Sequence, residues 1–514
     1  MHGFWRCALY LAVLGVAAHP LGQALPRKWF CAEKAPWRSA PWEKGGRIYL
    51  KLGIRKWKDH LPDMSRLMPD MVRKDLGSDP AVLVQETCVA ECVHWALTLL
   101  SAGIFFLWRS GWAALLWLVY NVLGNVSFIV IQRYNRPRLQ KLAEKTRRKV
   151  LLFSCSTGGG HNSAAAALAQ ELEARSVENR TYDALQFLPK STADLISHGH
   201  DFAYRYAPKI YGAGYRREEK HPSSLFYEQS IRGIGPLYEE LIDQAPDAVI
   251  CVHLFPAMMM TELRCSYGVR IPTYFVATDF TCSPGVGDLQ VDGLCIPHRD
   301  LIPEFVTAGL PQERLFPTGI PVGRQFLYPE SREEARRALD LPVDGRILTL
   351  ACGSMGAGPL RTTAQKVAEL MGPEDLLVTI CGSNHRMYQQ MQSDFFRPVD
   401  RVRVLGYTHE MFRYMYASDL LLTKAGGLTT AEAVAAGTPL LYLNAVPGCE
   451  SHNIDFMTRH GCALAVNSDE ELQPMLQGIL SGAIDPRSMV ARRADFPTAS
   501  AAAVCDLALR HAGA

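Results

Sequence analysis

Residues 147–175 read RRKVLLFSCSTGGGHNSAAAALAQELEAR. Basic residues lead into an apolar run of strand length, Val150 to Cys155. The turn STGGGH follows at 156–161, and then a strongly helical stretch. Strand, glycine-rich turn and helix make the first unit of an α/β fold. The glycines let a ligand or another stretch of chain approach the backbone, and a helix N-terminus favours negative charge. A glycine-rich turn by itself signals ligand binding weakly. The histidine that closes this one, His161, is less usual.

The pattern continues toward the C-terminus. DAVICVHL (247–254), PTYFVATDF (272–280) and LQVDGLCIP (289–297) read as strands between helical segments such as 223–244. Such alternation predicts a parallel sheet covered on both faces, with sites at the C-terminal ends of its strands. His161, His253 and Asp279 each fall at or just past such an end. TGIPV (318–322) closes this lobe. GRILTLACGSMGAG (345–358) then restarts the pattern with a second glycine-rich loop, followed by LLVTICGSN (376–384), RVRVLGY (401–407) and DLLLTKAGG (419–427). The layout predicts two doubly wound lobes, residues 146–325 and 326–514, with a site between them.

KAGGLTTAEAVAAGTPLL (424–441) carries a nucleotide-sugar logic. Gly426 and Gly427 open a turn. Backbone amides and the hydroxyls of Thr429 and Thr430 at the helix start can bind a diphosphate. Glu432 can accept hydrogen bonds from two ribose hydroxyls, and residues from Glu450 to Asn453 can read sugar hydroxyls. An ordinary strand-to-helix turn is the plain alternative for the two glycines.

Residues 1–145 read differently. Three apolar stretches run from Phe4 to Ala18, Cys92 to Trp108 and Trp112 to Ile131. A spanning helix needs about 17–25 residues. The third stretch qualifies outright, the second is at the short end, and the first reads as an uncleaved anchor. Thirteen Lys and Arg residues lie between Arg27 and Lys74, and residues 133–149 are again basic. The positive-inside rule therefore predicts three spans, with everything after Arg133 facing the cytoplasm. KLGIRKWKDHLPD (51–63) and MVRKDL (71–76) suit a segment lying on an anionic membrane surface. Glu86, Glu91 and His94 bracket the second span, with Glu91 and His94 three residues apart on one helix face. A histidine with a carboxylate neighbour can act as a base toward a hydroxyl. Arg133, Arg136 and Arg138 in QRYNRPRL (132–139) can hold lipid or coenzyme phosphates, or merely stop transfer.

The net charge of +3 gives no global field for nucleic acid. Fourteen cysteines are scattered, with no C-x-x-C pair, which predicts no disulfide framework or zinc site and a reducing compartment.

HPLG at 19–22, PRKWF at 26–30, WKDHLPD, E-T-x-x-x-E-x-x-H-W at 86–95 and QRYNRPRL together resemble the glycosyl-4,4'-diaponeurosporenoate acyltransferases. These place a fatty acyl group on the sugar of a carotenoid glycoside. The resemblance implies catalytic roles for Glu91 and His94, and acyl-coenzyme A as the acyl donor.

The rest of the chain resembles the family 28 glycosyltransferases of GT-B fold, in particular monogalactosyldiacylglycerol synthases and processive diacylglycerol glucosyltransferases. The motifs are TGGGH (157–161), H-x-x-P (253–256), V-x-T-D (276–279), TGIPV, CGSMGAG, CGSN (381–384), GYTHEM (406–411), TKAGGLTTAEA and G-x-P-x(8)-G-x-E (437–450). The resemblance implies inverting transfer from a UDP-sugar to a lipid hydroxyl, without a cofactor. It adds Gly159, Gly353, Ser354, Gly356, Gly358, Gly382, Tyr407 and Met411 to the donor-binding positions. One departure is Cys449, where relatives often have Gln before the Glu; His452 is also unusual there. Both leave the sugar open between glucose and galactose.

The expected mechanism needs a base for the acceptor hydroxyl: His161, or else Asp279, with His161 favoured because an imidazole needs little tuning. Amides from Gly353 to Gly358 and the Thr429/Thr430 helix end would stabilise the departing diphosphate. No D-x-D motif lies near the donor residues, so no metal is expected. The expected setting is the cell membrane, with both catalytic parts on the cytoplasmic side. Competing readings are a nucleotide-sugar epimerase or hydrolase, a membrane-anchored sensor, and an N-terminal part that only anchors. The acceptor is open between diacylglycerol and an isoprenoid.

Overall fold

The computed structural model describes residues 2–58, 61, 80–143, 148–156, 159–206, 208–220, 224–395, 401–443 and 448–510. Residues 59, 60 and 62–76 of the expected surface segment, Thr157 and Gly158 of the first glycine turn, and 444–447 of the G-x-P-x(8)-G-x-E motif lie outside them. Two units emerge: residues 1–147 with 235–245 and 263–271, and the remaining residues.

In the first unit, three helical stretches are long and apolar enough to cross a membrane: Gly3–Ala24, Val82–Leu107 and Gly111–Lys141. Helix α1 is His2–Ala24, α2 is Pro80–Ser101, α3 is Gly111–Asn121 and α4 is Ser127–Ala143. The spans are longer than the apolar runs because polar residues at their ends stay helical. Ser110 caps α3, its hydroxyl accepting from Trp112 N at 3.3 Å. A π-helical turn, Val122–Val126, joins α3 to α4. Within this unit α2 and α4 pack together around buried charge. Arg136 Nη2 meets Glu91 Oε2 at 2.6 Å, and Arg133 Nε meets Glu91 Oε1 at 2.7 Å. Arg138 Nη1 binds Glu239 at 2.9 Å. The three arginines read as phosphate ligands are thus paired inside the unit. Burying such charges is tolerable only with these partners.

The second unit carries two six-stranded sheets, parallel throughout. The first lobe holds β1 (Lys149–Ser154), β2 (Glu178–Asp183), β3 (Ala248–Cys251), β4 (Thr273–Val276), β5 (Gly293–Cys295) and β6 (Leu315–Phe316) in the order β2-β1-β3-β4-β5-β6. The second lobe holds β7 (Ile347–Ala351), β8 (Leu376–Ile380), β9 (Val402–Leu405), β10 (Leu420–Thr423), β11 (Leu440–Tyr442) and β12 (Leu464–Ala465) in the order β12-β11-β10-β7-β8-β9. Central strands such as ILTLA and LLLT are buried along their whole length, as helices on both faces require. Helix α5 (Gly159–Ala174) follows β1, α6 (Gly427–Ala436) follows β10, and α7 (Cys449–Arg459) follows β11.

One expectation is corrected. The sequence assigns everything from 326 to 514 to the second lobe. The last helix, α8 (Ser500–Arg510), instead packs into the first lobe's core. Val504, Cys505 and Ala508 join Leu168, Leu172, Ala248 and Ile250 in one apolar cluster. The helix packs there against α5 and β3, with Val504, Cys505 and Ala508 all fully buried.

Candidate active site

Each sheet reverses its strand order once, between β1 and β3 and between β7 and β10. Ligands in open α/β sheets bind at such switch points, beyond the strands' carboxyl ends. Both reversals open onto one cleft of about 800 Å³ between the lobes. His161, His253, Thr278 and Asp279 line it from the first lobe; Gly353, Ser354, Lys424, Glu432 and Glu450 line it from the second.

His161 stands in the first turn of α5, just past β1. Its Nδ1 lies 3.0 Å from the Val252 carbonyl and 3.2 Å from Thr278 Oγ1. A carbonyl only accepts, so Nδ1 carries the proton and Nε2 the lone pair. Desolvation pushes the imidazole pKa below its ordinary value, against the opposing pull of the Asp279 charge and the Val252 carbonyl. The ring is therefore neutral at pH 7, as a base must be. His253 meets it edge to face, with centroids 4.6 Å apart.

The lobes approach closely through glycines. A Cβ on Gly159 would run into Ser354 Oγ, and one on Gly427 into the Thr278 carbonyl oxygen, with Asp279 Oδ1 at 3.0 Å. These glycines are needed for contact across the cleft as well as for room beside a ligand.

On the donor side, Gly382, Tyr407, Met411, Gly426, Gly427 and Thr429 line the cleft with Gly159 and Glu432. Desolvation pushes the Glu432 carboxyl up to about 7. Glu450 is buried and its Oε1 lies 3.1 Å from Lys424 Nζ. Lys424 was not singled out from the sequence, although it directly precedes the glycine turn. Its ammonium reaches the same cleft as the glycine loops. Thr278 and His253 were likewise not assigned roles.

Four expectations need correction. The Thr430 hydroxyl does not face a diphosphate: it is fully buried and bonds Tyr442 Oη at 2.8 Å. Asn453 does not read sugar hydroxyls. It is fully buried, its Nδ2 donates to Asp279 Oδ1 and the Ala425 carbonyl, both at 2.8 Å, and its Oδ1 accepts from Phe280 N at 2.6 Å. Gly356 is buried, and a Cβ there would strike the Cys381 carbonyl. Gly358 stands beside the Cys352 side chain. Both shape the loop, and the cleft lining comes from Gly353, Ser354 and Met355.

Elsewhere in this unit, His298, Asp300 and His460 bring three potential ligand atoms within 4.8 Å of one another. His460 Nε2 and Asp300 Oδ2 are paired at 2.9 Å, which bridges the lobes.

In the first unit, Glu91 and His94 share α2 but have different surroundings. Both Glu91 oxygens are taken by arginines, which fits anchoring better than proton transfer. The His94 ring meets Asn125 Oδ1 at 3.1 Å and stacks on Phe128, with centroids 5.0 Å apart.

Two parallel-sheet lobes facing each other across such a cleft define the GT-B fold. Residues 161–322 match the monogalactosyldiacylglycerol (MGDG) synthase family, and residues 347–487 match the glycosyltransferase family 28 C-terminal domain. The chain is a hexosyltransferase. Residues 26–145 match the glycosyl-4,4'-diaponeurosporenoate acyltransferase family. Among curated relatives, a processive diacylglycerol beta-glucosyltransferase of Bacillus licheniformis is 25% identical over 349 residues, covering 65% of this chain and 88% of the relative. One from Staphylococcus saprophyticus is 24% identical over 328 residues, covering 63% and 82%. The solved glycotransferase of kitacinnamycin shares the fold, with a TM-score of 0.50 and 14% identity over 71% of this chain and 100% of its own.

Proposed function

We propose that the chain transfers a hexose from a UDP-sugar, with inversion, to the hydroxyl of a membrane lipid such as diacylglycerol, and that its N-terminal unit acylates the resulting glycoside. The observation that carries the glycosyl step is His161. It is a neutral imidazole with its proton on Nδ1, beside Asp279, in a cleft whose opposite wall carries Glu432, Lys424 and two glycine loops. The acceptor oxygen attacks the anomeric carbon from the face opposite the diphosphate. His161 takes the hydroxyl proton and the bond to UDP breaks. Lys424, Ser354 and the start of α6 meet the growing diphosphate charge. Glu432 holds the ribose. Asp279 is the second candidate base, and Asn453 keeps it oriented.

A lipid acceptor is supported by the diacylglycerol glucosyltransferase relatives and by three helices long and apolar enough to span a membrane. Acyl transfer is supported by the match of residues 26–145. On this reading the protein sits in the cell membrane and both reactions draw on cytoplasmic UDP-sugar and acyl-coenzyme A. Membranes containing the chain, given labelled UDP-glucose or UDP-galactose, should yield a labelled glycolipid whose mass identifies sugar and acceptor. Label that stays in free sugar or nucleotide would overturn the reading. So would wild-type transfer in both His161→Ala and Asp279→Ala.

A further inference from the structure

The first unit holds a chain of polar side chains where the membrane spans should be dry. Asn121, Asn125 and Ser101 are all buried. His94 lies near the middle of the span Val82–Leu107, and Asn125 near the middle of Gly111–Lys141. Polar groups at such depth are costly and mark function. Asn125 also sits in the π-helical turn Val122–Val126, a distortion that concentrates at functional sites.

The hydrogen bonds run in one direction. Asn121 Nδ2 donates to the Trp117 carbonyl at 2.9 Å and to Ser101 Oγ at 3.1 Å. A carbonyl can only accept, so this end of Asn121 is its amide and its Oδ1 faces Asn125. Asn125 must then donate from Nδ2 to that Oδ1, at 3.1 Å. Its own Oδ1 is left toward His94 Nδ1, at 3.1 Å. Nδ1 therefore carries the proton and Nε2 carries the lone pair. One backbone carbonyl fixes a histidine tautomer three residues away in the chain of bonds, and the Phe128 ring fixes the imidazole plane.

We propose that His94, oriented by Asn125, is the base of an acyl-transfer site inside the membrane-spanning unit; this rests on the acyl-transfer part of the function proposed above. The substrates are an acyl thioester and a sugar hydroxyl of a lipid glycoside. The hydroxyl oxygen attacks the thioester carbonyl and a carbon–oxygen bond forms. The carbon–sulfur bond breaks, the hydroxyl proton passes to His94 Nε2, and from there it reaches the departing thiolate. An ester and a free thiol result. His94 is the catalytic residue and Asn125 the positioning residue.

The test uses the full chain in membranes, with labelled palmitoyl-coenzyme A and the glycolipid the chain itself makes. His94→Gln should lower acyl transfer about 10²-fold or more. Asn125→Leu should lower kcat to a similar extent with KM for the thioester little changed, and Asn125→Asp, which still accepts from Nδ1, should recover most of the rate. Glycosyl transfer by the same membranes should stay within about twofold, since neither residue lines the glycosyl-transfer cleft. Wild-type acylation in His94→Gln or Asn125→Leu would overturn the assignment and leave acyl transfer standing. Equal loss in Asn125→Leu and Asn125→Asp, with glycosyl transfer lost as well, would make the pair structural. No acylated product from the unaltered chain would overturn this proposal and the acyl-transfer reading together.

Discussion

Asn453 on α7 of the second lobe donates from Nδ2 to Asp279 Oδ1, at the strand end of the first lobe, across 2.8 Å. The same side chain accepts from Phe280 N and donates to the Ala425 carbonyl, so one amide joins both lobes at the cleft floor. Asn453→Ala leaves a buried backbone N–H and a carbonyl without partners. A loss of about 2–6 kcal/mol follows, at roughly 1–3 kcal/mol for each group. Thermal unfolding should show it, together with a fall in kcat as Asp279 loses its orientation. A stability equal to the unaltered chain would contradict the bond's role.

The pH profile tests the base. His161 acts neutral, and its pKa lies below the ordinary histidine value, so transfer should be level near neutrality and fall only as pH drops below about 6.5. The Asp279 charge raises that pKa, so Asp279→Asn lowers it further. If His161 is the base, the acid limb in Asp279→Asn moves to lower pH and activity survives. If activity vanishes at every pH while His161→Ala stays active, Asp279 is the base instead. His161→Ala itself should cost about 10²–10⁴-fold in kcat.

Glu432 makes UDP binding pH-dependent. Its carboxyl sits at about 7 through desolvation. If the ionised form accepts the ribose hydroxyls, binding lowers that value and releases a proton, so affinity rises as pH climbs through 7. Calorimetry in buffers of different ionisation enthalpy measures the proton released. Glu432→Gln should weaken binding by about 1–3 kcal/mol and abolish the pH dependence.

A methyl group at Gly427 tests the lobe contact. Gly427→Ala points its Cβ at the Thr278 carbonyl oxygen, which is backbone and cannot turn away. The lobes must part or the helix shift, at about 1–3 kcal/mol. Reduced kcat with a lower melting temperature is expected, and unchanged kinetics would show that the lobes work further apart.

Glu91→Gln should destabilise the first unit strongly. It strips the countercharge from Arg136, which is 1% exposed, and leaves Arg133 with Glu43 alone. Breaking a buried pair costs about 3–5 kcal/mol. Melting of the protein in detergent, followed at residues of the first unit, reads the loss; wild-type melting would leave the pair without a structural role.

Much of this was legible in the chain. Strand–glycine–helix units give themselves away because a covered parallel strand must be apolar throughout and its following turn must be small. The switch-point histidine and the glycine loops of both lobes were visible for that reason. Tertiary partners were not. Nothing local says that the Thr430 hydroxyl meets Tyr442, that Asn453 crosses to Asp279, or that α8 returns to the first lobe. Thr429 and Thr430 look alike in sequence, and a turn of about 100° per residue along α6 sends one to the cleft and the other to the core. Glu91 and His94 also looked like a pair by spacing; their separation into an ion cluster and an asparagine chain depends on residues over thirty positions away.

The Glu91 cluster bears on how the chain is made. Arg133 and Arg136 would be costly passengers for α4 if it entered lipid alone. The carboxylate they share, Glu91, lies on α2, which the ribosome completes earlier. Glu91 is thus in place before either arginine is made, and Glu43, earlier still in the chain, answers the second positive charge, so α4 meets waiting countercharges as it forms.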